Sequence, residues 1–242
     1  MEDSLVIIPT YNEIENIEAI IKAVFALEKK FHVLIVDDNS PDGTADKVRE
    51  LQEQFQNRLF LEVRKEKSGL GTAYIHGFKW AIAHKYDFIF EMDADFSHRP
   101  DDLPRLYRAC VNGADVVVGS RYKKGVNVVN WPLYRMLLSY GASFYVKLIT
   151  GMQVHDPTAG FVCYRRNVLE TIDLDAVKFV GYAFQIEMKF RAHLKKFKIE
   201  EISIIFTDRV KGKSKMSSSI VGEAIFGVLK MKLSSIFQRH KF

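Results

Sequence analysis

The sequence predicts a three-layer α/β/α domain, with helices on both faces of a mostly parallel β-sheet. Two observations carry this. Short apolar runs alternate with helix-length stretches through the first half of the chain, and strands joined that way pair in parallel through right-handed crossovers. The runs are also apolar almost without interruption, as strands buried on both faces must be.

Taken in order, Leu5–Pro9 is a short strand, and Glu13–Leu27 carries Ile14, Ile17, Ile20, Ile21 and Val24 at helical spacing. Val33–Val36 is a second strand ending at Asp37-Asp38. Asn39-Ser40-Pro41-Asp42-Gly43 is a turn, after which Thr44 is expected to cap a helix. Leu59–Val63 is a third strand, and Gly69–His84 gives a loop and helix. Phe88-Ile89-Phe90-Glu91-Met92-Asp93 is a fourth strand, Asp101–Asn112 a helix and Asp115–Gly119 another strand. After Gly119 the alternation loosens, and the second half is expected to complete a site built on the first.

Two later segments read differently. Trp131–Thr150 is apolar and aromatic but interrupted by Arg135 and Lys147. Ser217–Phe242 places Ile220, Ala224, Val228, Met231 and Ile236 among Lys230, Lys232, Arg239 and Lys241. Both fit amphipathic helices in a membrane interface, with Trp131, Leu133, Leu137, Leu138 and Phe144 inserted. Helices packed on the protein's own core would show the same pattern. The expected division is a main domain over 1–215 and an amphipathic C-terminal helix over 216–242.

Hydrophobic residues at 48% and charged residues at 27% are ordinary for a globular chain. The formal net charge of +5 points to anionic partners: phosphates, lipids or nucleic acid. Cys110 and Cys163 make neither a disulfide framework nor a zinc spacing, and the seven histidines form no metal-ligand pair. Met1-Glu2-Asp3-Ser4 lacks the charged region of a signal peptide, and no run of about 18 apolar residues crosses a membrane. A reducing, cytoplasmic setting is expected.

The chemistry gathers where strands end. Asp93 and Asp95 stand two apart, so along a strand they point the same way and can converge at its end. Two hard oxygen donors there suit Mg²⁺ or Mn²⁺, which bind one or two carboxylates plus substrate phosphates. Pro9-Thr10-Tyr11-Asn12-Glu13 follows the first strand and Asp37-Asp38 the second, so three strand ends bring polar groups to one sheet edge, where open α/β sheets bind ligands. Any one cluster alone is explained by turn chemistry; the three together describe a crevice for a nucleotide-diphosphate sugar. Gly69-Leu70-Gly71-Thr72 lacks the third glycine of a dinucleotide fingerprint and follows the wrong strand, so a tight turn before a helix explains it. No P-loop occurs.

Val6-Ile7-Ile8-Pro9-Thr10-Tyr11-Asn12-Glu13, Val36-Asp37-Asp38-Asn39-Ser40-Pro41-Asp42-Gly43-Thr44 and Met92-Asp93-Ala94-Asp95 resemble the family-2 inverting glycosyltransferases of GT-A fold. Within that family, the branch acting on dolichyl or polyprenyl phosphate is marked by several further motifs. They are Gly69-Leu70-Gly71-Thr72-Ala73-Tyr74, Asp95-Phe96-Ser97-His98, Gly119-Ser120-Arg121, Asp156-Pro157-Thr158-Ala159-Gly160-Phe161 and Gly212-Lys213-Ser214-Lys215. The resemblance runs from Leu5 to about Lys215. It implies a nucleotide pocket at Pro9, Tyr11, Glu13 and Asp38, and a metal and diphosphate site at Asp93, Ala94 and Asp95, with Mg²⁺ or Mn²⁺ as cofactor. It places Arg121, Arg135 and Ser139 around the acceptor's phosphate, and Arg209 with Lys215 near the donor diphosphate. Asp208-Arg209 with Lys211, Lys213 and Lys215 would be a basic loop closing over that diphosphate.

What the resemblance implies is transfer of mannose from GDP-mannose to dolichyl or polyprenyl phosphate, with inversion, at the cytoplasmic membrane face and without nucleic acid. Many relatives end in transmembrane helices that are missing here, so the chain is expected to bind the membrane surface peripherally or to borrow a membrane-anchoring partner subunit. Alternatives are a UDP-glucose-dependent polyprenyl-phosphate glucosyltransferase and a non-catalytic interaction subunit. A nucleotidyltransferase would want a Gly-rich basic loop after its first strand, where Thr10-Tyr11-Asn12-Glu13 stands instead.

Overall fold

In the computed structural model, which describes residues 3–181, 183–208 and 219–237 (without the side chains of 219–225), the apolar runs become strands. These are β1 (Ser4–Thr10), β2 (His32–Asp37), β3 (Leu59–Val63), β4 (Phe88–Glu91) and β5 (Val116–Ser120). Four more follow: β6 (Val128–Val129), β7 (Val162–Arg165), β8 (Ile199–Ser203) and β9 (Phe206–Thr207). Seven share one sheet in the order β3-β2-β1-β4-β7-β5-β8, while β6 and β9 form a separate parallel ribbon. Within the large sheet only β7 runs against its neighbours, β4 and β5. Two antiparallel steps restore the direction, so β1 to β5 and β8 all end on the same edge.

Each interior strand is apolar on both sides because helices cover both faces. Val6 and Ile8 face a core shared with α1 (Ile17–Phe25), α2 (Thr44–Gln54) and α4 (Leu103–Val111). Leu5 and Ile7, one residue out of phase, face α3 (Leu70–Ala83), α6 (Arg166–Thr171) and α7 (Ala183–Leu194). A third, smaller core joins α5 (Leu133–Thr150), α7 and α8 (Ser219–Phe237) through Val146, Ile186, Phe190, Val228 and Met231.

Two local expectations are corrected. The first helix starts at Ile17 rather than Glu13, and the amides of Glu13 and Ile14 instead tie the preceding turn to Thr44 Oγ1 at 3.0 Å and Asp42 Oδ2 at 3.1 Å. Thr44 is the first helical residue rather than the cap. The Asp42 carboxylate does the capping work, accepting from the Thr44 amide at 3.1 Å and its hydroxyl at 2.6 Å. Gly71 reflects close approach rather than cofactor binding: a Cβ there would meet the Phe179 carbonyl oxygen and the Phe184 ring at 2.8 Å.

Candidate active site

Pro9 stands in an interior strand, although proline cannot donate to a ladder. The Ile7 carbonyl accepts from Met92 on the β4 side, and the Thr10 carbonyl accepts from Asp38 on the β2 side. By alternation Pro9 faces β4, whose pairing with β1 has ended at Ile7. The missing N–H therefore opens towards the sheet edge where the polar residues collect.

On that edge the residues matched to the nucleotide pocket are close together but already engaged. Asp38 pairs with Arg64 Nε at 2.6 Å, and Arg64 Nη1 donates to Thr72 Oγ1 at 2.8 Å. Lys67 Nζ lies 4.4 Å from the centre of the Tyr11 ring, and Glu13 accepts from Asn16 at 3.1 Å. Asp37, one residue before Asp38, is structural: it is fully buried and accepts from Thr10, the Ser40 amide and the Ser40 hydroxyl. Arg64 and Lys67 were not singled out in the sequence, where only the position of Arg64 directly after the third strand hints at the edge, and Thr72 was read only as part of the Gly69–Tyr74 motif.

The carboxylates lie just past β4 rather than on it, in the loop 92–98. Asp95 is buried and its Oδ1 accepts from the Ser97 amide at 3.0 Å. Between them Phe96 holds a left-handed backbone at φ +60°, a conformation that costs a bulky residue and clusters at functional loops. The His98 ring, stacked on Phe161 with centroids 5.0 Å apart, accepts at Nδ1 from the Asp93 amide at 3.1 Å. Burial pushes His98 down to about 4, which keeps it neutral and able to accept. Asp93 Oδ2 lies 3.8 Å from His98 Nδ1, and the buried Ala94 stands between the two carboxylates in the chain.

Asp93 and Asp95 are hard oxygen donors, and among the described residues no set of three His, Cys, Asp or Glu side chains forms a closed metal cage. The pair fits a hard divalent cation that completes its shell with ligand oxygens and water, the pattern of Mg²⁺ or Mn²⁺.

At the end of β5, Arg121 makes a bidentate pair with the fully buried Asp156, Nε and Nη2 each at 2.7 Å, while its amide donates to the same carboxylate at 2.9 Å. Nη2 also reaches Thr158 Oγ1 at 2.8 Å. Burial raises the Asp156 pKa, but the Arg121 charge and hydrogen bonds outweigh it and hold the carboxyl below its ordinary range. Arg135 donates to Asp208 at 2.8 Å and lies over the Trp131 ring at 4.2 Å. Ser139 accepts from the Tyr122 hydroxyl at 2.8 Å. The Trp131 and Phe206 rings are 5.4 Å apart, and Arg121 lies within 5.6 Å of each. Phe206 also meets the His98 ring at 5.6 Å. The structure thus brings Arg121, Arg135 and Ser139 together beside the carboxylate loop. Arg209 and Lys215, with the neighbouring lysines of the predicted basic loop, lie outside the described residues.

Beneath the two halves is a buried polar chain that sequence reading missed. Gln185 Nε2 donates to Glu91 Oε2 at 2.7 Å, and Lys189 Nζ donates to the Ala159 carbonyl at 2.7 Å and to Gln185 Oε1 at 3.1 Å. Burial pushes Glu91 up to about 8 and Lys189 down to about 8.

The comparisons with known proteins agree with this architecture. Residues 5–173 match the model of glycosyl transferase family 2. The chain is 47% identical over 225 residues to a polyprenol monophosphomannose synthase of Mycolicibacterium smegmatis, covering 93% of this chain and 85% of that one. It is 44% identical over 231 residues to an undecaprenyl-phosphate mannosyltransferase of Micrococcus luteus, covering 96% and 94%. A dolichol-phosphate mannosyltransferase of Pyrococcus furiosus is 37% identical over 222 residues, 90% of this chain and 60% of that one. Among solved structures, the mannosyltransferase of Pyrobaculum calidifontis in complex with GDP-Man and Mn²⁺ shares the fold with a TM-score of 0.59. That match has 16% identity and covers 98% of this chain and 74% of that one. With the strand-edge motifs inside the matched residues and the likeness running nearly end to end, the chain belongs to glycosyl transferase family 2.

Proposed function

We propose that this glycosyltransferase moves mannose from GDP-mannose to a polyprenyl or dolichyl phosphate, with inversion at the anomeric carbon. The observation that carries the reading is the likeness, over more than nine-tenths of the chain, to enzymes named for mannosyl transfer to polyprenol and undecaprenyl phosphate. The geometry supports it with an acidic loop at the end of one strand and a guanidinium cluster at the end of the next but one in the sheet.

In this reading Tyr11, Glu13 and Asp38, beside Pro9, receive the nucleoside, and Asp93 and Asp95 would hold Mg²⁺ or Mn²⁺ on the diphosphate side. A divalent cation there supplies positive charge opposite the departing GDP. Arg135, Ser139 and Arg121 orient the acceptor phosphate, for which the planar guanidinium offers two parallel donors. One phosphate oxygen bonds to the anomeric carbon from the face opposite GDP, which leaves with the electrons of the broken C–O bond. The lipid phosphate is already ionised at neutral pH, so no side chain need remove a proton from it. Arg209 and Lys215 are proposed as cations near the donor diphosphate.

The acceptor's lipid tail demands an apolar surface, and two helices supply one. On α5, Leu133, Leu137, Leu138, Phe144 and Leu148 are exposed, Leu148 to 70%, while Arg135 and Ser139 lie on the half-buried side of the same helix. α8 packs Val228 and Met231 inward and leaves Phe226, Leu233, Ile236 and Phe237 exposed. One face of the helix is thus packed on the protein's own core, and the other leaves apolar side chains for the proposed membrane contact. Among the described residues no helix is long and apolar enough to cross a membrane, so we propose peripheral attachment at the cytoplasmic face through α5 and α8. Trp131 is corrected from this list: it is tucked between Arg135 and Phe206. Lys232 is also withdrawn from the membrane-facing charges, since it donates to the Thr150 carbonyl at 3.2 Å and so caps α5.

The test is transfer from a panel of labelled GDP- and UDP-sugars to a short polyprenyl phosphate with Mg²⁺ or Mn²⁺. GDP-mannose should be the preferred donor. Preference for UDP-glucose, or no transfer from any donor, would overturn the reading.

A further inference from the structure

The buried chain under the active edge joins its two halves. Gln185 and Lys189 are four residues apart and so share one face of α7. Both are buried, with 2% and 0% exposure. Gln185 bonds Glu91, the last residue of β4, two positions before Asp93. The other Glu91 oxygen, Oε1, is buried without a hydrogen-bond partner among the described residues, so Gln185 is the side chain that fixes this carboxyl. Lys189 places its three donors on the Gln185 carbonyl at 3.1 Å, the Gln185 side-chain oxygen at 3.1 Å and the Ala159 carbonyl at 2.7 Å. Ala159 directly follows Thr158 in the loop whose Asp156 and Thr158 grip Arg121.

Those bonds are directional and sit in a dry interior. A buried lysine whose three donors are all used costs more desolvation than a leucine or methionine of similar size would, so its presence asks for a role other than holding the core together. The ammonium also fixes which way the Gln185 amide faces, since Oε1 must point at Lys189 and Nε2 is then aimed at Glu91.

We propose that Gln185 and Lys189 are positioning residues that hold the carboxylate loop and the Arg121-gripping loop in one register, so that the donor's diphosphate and the acceptor's phosphate meet at a fixed separation. The proposal rests on the reading of these two loops as the donor and acceptor sides. Its logic is geometric: misplacement of reacting groups by about 1 Å can cost on the order of 100-fold in rate.

The test uses Lys189→Met and Gln185→Met in the full chain, each of similar length and without the donated bonds. Hydrogen exchange reads the coupling directly, because the amides of Asp93 and Ser97 in one loop and Ala159 in the other are all hydrogen-bonded. Both sets should exchange faster together, by about tenfold or more. Mannose transfer at saturating substrates should fall roughly 10- to 100-fold, while GDP affinity by calorimetry stays near wild type. The double variant should be no worse than the weaker single, since the two residues act as one unit. Faster exchange in only one loop in both variants, or an unchanged kcat per folded molecule, would overturn the proposal. Joint loosening of both loops in a protein that transfers no mannose would leave the tie standing and remove the functional reading instead.

Discussion

Asp156→Asn should be a stability mutation before it is anything else. Three donated bonds from Arg121, at 2.7, 2.7 and 2.9 Å, end on this one carboxylate. Asparagine keeps one acceptor oxygen but removes the charge and turns an NH₂ group towards a guanidinium that also donates. Removing one partner of a buried pair costs about 3–5 kcal/mol, because the other charge is left uncompensated. Arg121 keeps a 10% exposed side chain and its aromatic neighbours, which places the loss near the lower end, about 3 kcal/mol. For a chain of this size that lowers Tm by roughly 6–12 °C, and a total stability of about 5–15 kcal/mol leaves the variant folded at room temperature. The acid behaviour follows from the sign of the shift. The folded carboxyl titrates below the ordinary value of 3.8, so its contribution is fully present above 3.8 and is lost as the pH falls through the lower folded value. Calorimetric melting of both proteins across a pH series should therefore show a constant gap near neutrality that closes in acid. A variant melting within about 1 °C of wild type at neutral pH, or a gap that persists undiminished in acid, would refute the argument.

Asp95→Asn should fold normally and lose about 100- to 1,000-fold in kcat, as expected for a lost preorganised charge stabiliser; full turnover at limiting Mn²⁺ would remove the metal role. Arg135→Lys keeps the charge but loses the planar fork and its stack on Trp131, so transfer should drop while GDP-mannose affinity by calorimetry holds. A collapse of donor affinity would move Arg135 to the donor side. Vesicle binding should fall as salt rises and fall again in Leu137→Glu/Phe144→Glu, measured by co-sedimentation with anionic liposomes. Equal recovery in the supernatant with neutral and anionic vesicles at low salt would point to an anchoring partner instead.

How far the sequence could be read depended on whether a residue's environment was set locally or across the fold. β1, β2, β4 and β5 were legible as almost wholly apolar runs, the pattern that burial on both faces leaves, and β3, at the sheet edge, still shows Leu59, Phe60, Leu61 and Val63 around Glu62. β8 was not: Ile199-Glu200-Glu201-Ile202-Ser203 is a half-buried strand at the sheet's end, paired among the described residues only with β5, and its glutamates hide it. β7 is four residues that run against the rest. α7 defeats amphipathic reasoning because Gln185, Glu187, Lys189 and Arg191 are all buried. They are tolerated there through partners, as in the Glu187–Arg191 pair at 2.8 Å.

The same limit governs the site. Strand ends marked Asp38, Asp93 and Asp95, and the family resemblance added Arg121 and Arg135, the latter inside α5, but no local pattern says which charge meets which. An excess of basic residues reads as a surface waiting for anions, yet Arg64, Arg121 and Arg135 each already hold a carboxylate: Asp38, Asp156 and Asp208. The three pairs are not equivalent. Arg121 spends Nε, Nη2 and its amide on a partner that is wholly buried, so a phosphate taking those donors would have to displace a carboxylate that has nowhere wet to go. Arg135 and Asp208 are each about a quarter exposed, and among the described residues Arg135 commits only Nη1. Water can take up Asp208 if it is displaced, and the remaining donors of Arg135 can be shared without breaking the pair. In the proposed acceptor site, then, Arg135 can share donors with a phosphate most readily, while Arg121 would act from an orientation that Asp156 fixes.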